Sequence, residues 1–211
     1  MAKKTVIPER FLKPGLSFIG KIQNDTDKSG FSSFCSFPQK VDFQGKDSGE
    51  CVVLIVRRDP ASLILNILGV IFLLLFPLFF FSVLGAIGVE GTSLASLGAG
   101  GSIFFILLAI TIAFDTFVKW FFSVSIITDQ RIVDVDFSNV LFHRFSEAQL
   151  EQIEDVTHTV AGIWGSIFDY GTVYIQTAGS KPEFEFINIP RPRDVQDTLL
   201  DLLEMKQKGQ I

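Results

Sequence analysis

The chain has 211 residues and a mass of 23.5 kDa, enough for one or two domains. Hydrophobic residues make up 48%, charged residues 19%, and mean hydropathy is +0.41, which excludes a disordered chain. A net charge of −5 and a pI near 5.0 argue against a nucleic-acid binder, because phosphate affinity rests on clustered Lys and Arg. Cys35 and Cys51 are too few for a disulfide framework, and with His143 and His158 they make no zinc pattern. No metal and no cofactor are expected.

Residues 1–60 are expected to be a cytoplasmic segment, partly flexible, with a short strand near 51–56. Met1 to Gly20 has charges spread through it and no apolar core, unlike a signal peptide. After Arg57–Arg58–Asp59–Pro60 the sequence carries no charge from Ala61 to Val89. A spanning helix needs about 20 apolar residues, so 61–89 reads as a first transmembrane helix. Asp59 suits its cap, Pro60 its first turn, and Pro77 lies inside it. Residues 102–122 read as a second span. Between them, 90–101 reads as a short external loop. Its Gly98–Ala99–Gly100–Gly101 is expected to be a flexible turn, since no lysine follows as a phosphate-binding loop requires.

Lys46, Arg57, Arg58, Lys119 and Arg131 flank the inner ends of the two runs, and the connecting loop has no Lys or Arg. The positive-inside rule then places both termini in the cytoplasm, in a multi-pass protein of the inner membrane. Asn24–Asp25–Thr26, a glycosylation sequon by pattern, has no meaning on that side. Within the second run, Asp115 and Lys119 stand four residues apart in the acid-before-base order that favours an ion pair. They read as a paired polar couple near the interface rather than a proton relay, which needs several polar groups along one path.

Beyond the second run the period changes to two. Ser123–Ile127, Arg131–Phe137, Gln152–Val160, Thr172–Thr177 and Glu183–Ile187 alternate or are β-rich, as half-buried strands of an antiparallel sandwich or barrel do. Pro190–Arg191–Pro192–Arg193–Asp194 then opens an amphipathic helix carrying Val195, Leu199, Leu202 and Leu203.

Ile126–Ile127–Thr128–Asp129–Gln130–Arg131–Ile132–Val133, Ile153–Glu154–Asp155–Val156, Phe168–Asp169–Tyr170–Gly171–Thr172–Val173 and Thr177–Ala178–Gly179 occur in that order. Together they resemble the bacterial pleckstrin-homology-like family typified by YdbS-type membrane proteins, over about 120–206. The resemblance implies a fold of seven strands in a bent β-sandwich closed by a C-terminal helix, preceded by a two-helix transmembrane hairpin. Asp59 stands where the family would be expected to carry histidine. Thr128, Asp129, Gln130, Arg131, Tyr170 and Gly171 are the motif residues, expected to be structural. Thr128–Asp129–Gln130 supplies a turn between strands, and Gly171 meets a backbone requirement. Arg131 either pairs with Asp129 or Asp155 or stays free on a binding face. Trp164 and Tyr170 are either interfacial anchors or core residues.

Phosphoinositide recognition needs a basic cluster in the first hairpin, where Arg131 stands alone; residues 116–211 hold eight basic and fourteen acidic side chains. Inositol lipid is therefore not an expected ligand. No catalytic constellation is visible, so no enzyme is expected. The favoured reading is a membrane-anchored binding or assembly module whose partners are the lipid bilayer and a protein or a second copy. The alternative is a small transport or envelope-stress component acting through the spans and Asp115.

Overall fold

The computed structural model describes residues 11, 33–38, 45–47, 49–88, 91–139, 142–160, 162–178 and 184–211. Most of residues 1–48, with the sequon at Asn24, together with Glu90, Gly179 and Glu183, lie outside them. The chain forms two compact units. One joins the stretch up to Ser62 with Trp120–Ile211, and the other is Leu63–Lys119.

The first unit is an antiparallel sandwich. Its larger sheet has the order β1 (Phe34–Ser36), β2 (Val52–Arg57), β3 (Val124–Thr128), β4 (Arg131–Asn139) and β5 (Phe142–Gln149). The smaller has the order β6 (Ile153–Thr159), β7 (Tyr170–Thr177) and β8 (Phe184–Pro190). A short helix, α3 (Gly162–Phe168), joins β6 to β7, and the closing helix is α4 (Pro192–Gln207). Between the layers lie Leu54, Val56, Ile127, Ile132, Leu150, Val173, Ile175, Phe186 and Ile189. Val195, Leu199, Leu202 and Met205 of α4 complete this core. They recur every three or four residues, so α4 turns one apolar face inward, as its sequence requires.

The seven strands from β2 to β8 are the expected sandwich, but its start differs from expectation. A domain beginning at Trp120 would lack β2, whose Leu54, Ile55, Val56 and Arg57 pair with Ile127, Ile126, Ser125 and Val124 of β3. Phe11, Phe34 and Phe37 also join the core, and the Arg191 guanidinium lies 3.9 Å from the Phe34 ring centroid. Phe11, Phe34–Phe37 and Val52–Arg57, all before the helices, are thus part of the sandwich. Strand pairing across a long chain excursion leaves no local trace in sequence. A further difference concerns β4. Its alternation suggested one apolar and one solvated face, yet Val52, Ile126 and Val133 are buried on the opposite face from Ile127 and Ile132. Both faces of the central strands are covered.

The second unit holds two long helices. A 3-10 turn at Pro60–Leu63 leads into α1 (Ile64–Ala86), which continues unbroken through Pro77. Asp59 Oδ1 accepts the Ala61 N–H at 2.7 Å and so caps the 3-10 turn rather than α1, whose N-cap is Leu63 with no side-chain cap. The other helix, α2, is Thr92–Phe122. The 3-10 turn with α1 (Pro60–Ala86) and the Ser96–Phe122 part of α2 are each 27 residues, long and apolar enough to cross a membrane. Leu65, Phe72, Leu78, Phe79, Phe104 and Leu107 project from them with more than half of their surface exposed.

The expected loop at 90–101 is shorter in the structure, because Gly98–Ala99–Gly100–Gly101 is helical. A Cβ on Gly101 would lie 2.9 Å from Phe81 Cζ, and one on Gly98 3.6 Å from the same ring. The glycines sit one turn apart and admit the Phe81 ring, the small-residue packing by which apolar helices approach closely. Phe76 and Phe105 continue the contact at 5.3 Å.

Candidate functional site

The Thr128–Arg131 segment forms a tight β3–β4 hairpin closed by one hydroxyl. Thr128 Oγ1 accepts the N–H groups of Gln130 (3.2 Å) and Arg131 (3.0 Å) and donates to the Arg131 carbonyl (2.9 Å). Asp129, buried, accepts the Cys51 N–H at 2.9 Å and so ties the hairpin to the start of β2. Arg131 pairs with neither Asp129 nor Asp155. Its Nε and Nη2 donate to Glu50 Oε1 and Oε2 at 3.1 and 2.8 Å, a bidentate grip on a carboxylate with no exposed side-chain surface. Nη2 also donates to the Gly45 carbonyl at 2.5 Å, and Nη1 reaches Glu147 at 3.5 Å. Burial pushes the Glu50 carboxyl up, but the Arg131 and Asp47 donors outweigh it and hold it below the usual carboxylate range. Asp155 instead accepts the Val156 N–H.

The opposite end of the β2–β3 ladder, where the chain leaves toward α1 and returns from α2, is also polar. Arg58 Nη2 donates to Asp136 Oδ1 at 3.0 Å, and Ser123 Oγ donates to the same oxygen at 3.2 Å. Ser125 Oγ donates to Asp134 Oδ1 at 2.7 Å. Trp120 Nε1 donates to the Arg58 carbonyl at 3.0 Å, and the Asp59 N–H to the Asn188 carbonyl at 2.7 Å. Arg57, Arg58, Ser125, Asp134, Asp136 and Glu185 line a cleft with room for about one water. Burial pushes the Asp134 carboxyl up to about 6; the neighbouring Asp136 adds to this, and Ser125, Arg58 and Arg144 oppose it. Burial likewise raises Asp59, helped by Asp169 and opposed by the Ala61 N–H.

Sequence reading missed this cleft. Its one signal was the Asp134–Asp136 spacing, which in a two-residue period is also that of a solvated face.

Gly171 is required by space. A Cβ there would lie 2.3 Å from the Thr159 carbonyl oxygen and 3.0 Å from Pro192 Cγ. Tyr170, half-buried, pairs with Pro190 across β7–β8. Trp164 is not a core residue: 43% of its surface is exposed, and its ring stacks on Phe168. In the helical unit, Lys119 Nζ lies 2.7 Å from Asp115 Oδ2, the expected pair. The motif residues and this pair therefore do not converge on one site. The hairpin marks one end of the sandwich, Tyr170 and Gly171 mark the other, and Asp115–Lys119 belongs to the second unit.

Both polar ends act chemically as ties. Glu50, Asp129, Asp134 and Asp136 are matched to arginine, serine or backbone donors, and among the described residues no group of three or more His, Cys, Asp or Glu could hold a metal ion. No curated protein and no solved structure matches the chain. The family model of the bacterial PH domain matches residues 62–203. That region takes in both long helices, β3 to β8 and most of α4; β1 and β2 precede it. On this match, with two antiparallel sheets closed by a C-terminal helix, the chain belongs to the bacterial PH domain family.

Proposed function

We propose that the chain is a membrane-anchored, non-catalytic binding or assembly module. In this reading α1 and α2 cross the inner membrane as a hairpin, both termini are cytoplasmic, and the sandwich engages a protein or a second copy. The observation that carries it is the β2–β3 ladder. Arg57 pairs with Val124, so the chain departs from and returns to one end of one pair of strands. An excursion with adjacent ends keeps both ends on the same side of a bilayer. Arg57, Arg58 and Lys119 near those ends, against no Lys or Arg in 87–101, favour the cytoplasm for that side.

Two further features support binding over transport or lipid-head-group recognition. Counted from β2, the first strand connection of the sandwich is the two-helix excursion rather than a basic hairpin, and Arg131 in the next hairpin is engaged by buried Glu50. In the helices Asp115 is matched by Lys119.

Impermeant maleimide labelling tests the topology in a Cys35→Ser, Cys51→Ser background. Gly91→Cys should label in spheroplasts, and Gly209→Cys only after lysis; the reverse pattern overturns it. In native membranes, an amine cross-linker should give a discrete larger species containing the chain. A chain that stays uncross-linked at every reagent concentration overturns the binding role.

A further inference from the structure

The strongest unexplained surface lies on α3. Ile163 is 77% exposed, Ile167 64%, and Trp164 and Phe168 43% each. These four occupy i, i+1, i+4 and i+5, so they share one face of the helix. Gly165 on the other face is buried, and a Cβ there would lie 3.0 Å from the Tyr170 carbonyl oxygen. The helix is thus held against the sandwich by its small residue and turns its large ones outward. No charged residue occurs from Thr159 to Phe168. A soluble surface rarely carries such a cluster without a use.

Its place in the sandwich identifies the occupant. Residue 170, just after α3, pairs with Pro190, and Gly171 with Ile189. The Arg191 N–H donates to the Asp169 carbonyl at 2.8 Å. The Asp59 N–H donates to Asn188 at 2.7 Å, immediately before the chain enters the 3-10 turn of α1. The base of α3 therefore adjoins the point where the chain departs for its first apolar helix. Trp120, where the second helix rejoins this unit, binds the Arg58 carbonyl at the same end.

We propose that α3 is an interfacial foot, whose Ile163, Trp164, Ile167 and Phe168 insert into the head-group and acyl boundary of the bilayer that α1 and α2 cross. The proposal rests on the reading of those helices as membrane spans. Tryptophan suits this depth, where an apolar ring and a polar N–H are both accommodated.

The chain has two tryptophans, so Trp120→Phe leaves Trp164 as the sole indole. In proteoliposomes its emission should be blue-shifted, resist aqueous acrylamide, and lose most of its intensity to lipids brominated near the head-group end of the acyl chain. A spin label at Ile163→Cys, in the Cys35→Ser, Cys51→Ser background with both tryptophans kept, should be relaxed more by oxygen than by a water-soluble nickel complex. As control, Ile112→Trp in a Trp120→Phe, Trp164→Phe background should be quenched by lipids brominated deep in the chain. If Ile112→Trp is quenched and Trp164 stays open to acrylamide, the foot is overturned and the spans stand. If Trp164 is protected from acrylamide but untouched by brominated lipid, protein covers the face and the foot is likewise overturned. If Ile112→Trp is not quenched, the spanning reading fails and the foot with it.

Discussion

Arg131 and Glu50, 81 positions apart, meet in a two-pronged ion pair at the end of the sandwich away from the helix connections. Glu50 has no exposed side-chain surface, whereas Arg131 keeps 17% of its own. Removing the arginine leaves a buried carboxylate unmatched, which typically costs about 3–5 kcal/mol. Arg131→Ala should lower the denaturation midpoint of the purified protein accordingly. Arg131→Lys should recover only part of the loss, because an ammonium cannot occupy both carboxylate oxygens in one plane. Glu50 titrates below its ordinary value, so the stabilisation is present above its unfolded pKa of about 4.5 and is lost as the pH falls through the lower folded value.

Asp134 has the opposite sign. Its folded-state value of about 6 lies above the ordinary aspartate value of 3.8, so the folded protein holds this proton more tightly than the unfolded chain. The stabilisation is complete below the lower value and is lost as the pH rises through the upper one, about 3 kcal/mol over two pKa units. Asp134→Asn should raise the melting temperature at pH 8 and leave it nearly unchanged near pH 4. An equal shift at both would assign the effect to something other than this proton.

Gly101 and Phe81 offer a test of helix packing. Gly101→Val should push the Phe81 ring away and cost about 1–3 kcal/mol, as overpacking generally does. Adding Phe81→Ala should recover much of the thermal stability in detergent. If the second change worsens the first, the two residues are not in contact.

For Asp115 and Lys119, the double change Asp115→Asn with Lys119→Gln should leave carbonate-resistant membrane association and the cross-linked species unaltered. Lys119→Gln alone should be tolerated as well, by the same two readouts. Loss of the cross-linked species in well-inserted Asp115→Asn protein would favour the transport alternative.

The legible parts of this chain were those with a local period. Long apolar runs gave the two long helices, two-residue alternation gave most strands, and the leucines of α4 gave its inward face. β5 escaped notice because an outer strand with the sequence Phe142-His-Arg-Phe-Ser-Glu-Ala-Gln149 shows little alternation; even Phe145 is 56% exposed. α3 has only seven residues, too few to display a helical period. Gly98 to Gly101 looked like a turn because glycine serves both turns and close helix contacts, and only the facing Phe81 distinguishes them. The Arg131 partner was invisible for another reason. Glu50 precedes both helices, and nothing local links the two positions.

The β2–β3 ladder also sets an order of events during synthesis. β2 leaves the ribosome first, but its partner follows only after the whole of α1 and α2. Until then the edge of Val52–Arg57 that β3 will occupy is unpaired, and an apolar strand in that state is prone to pair wrongly. Closure of the ladder brings Arg57 beside Val124, so the ends of the intervening helices must first have been brought together. A hairpin already seated in a bilayer holds them close and removes much of the entropy cost of closing so long a loop. On the proposed topology, completion of the sandwich is thereby coupled to delivery of the helices to the membrane. On that topology a chain that misses insertion retains both an open sheet edge and exposed apolar helices, which invite aggregation.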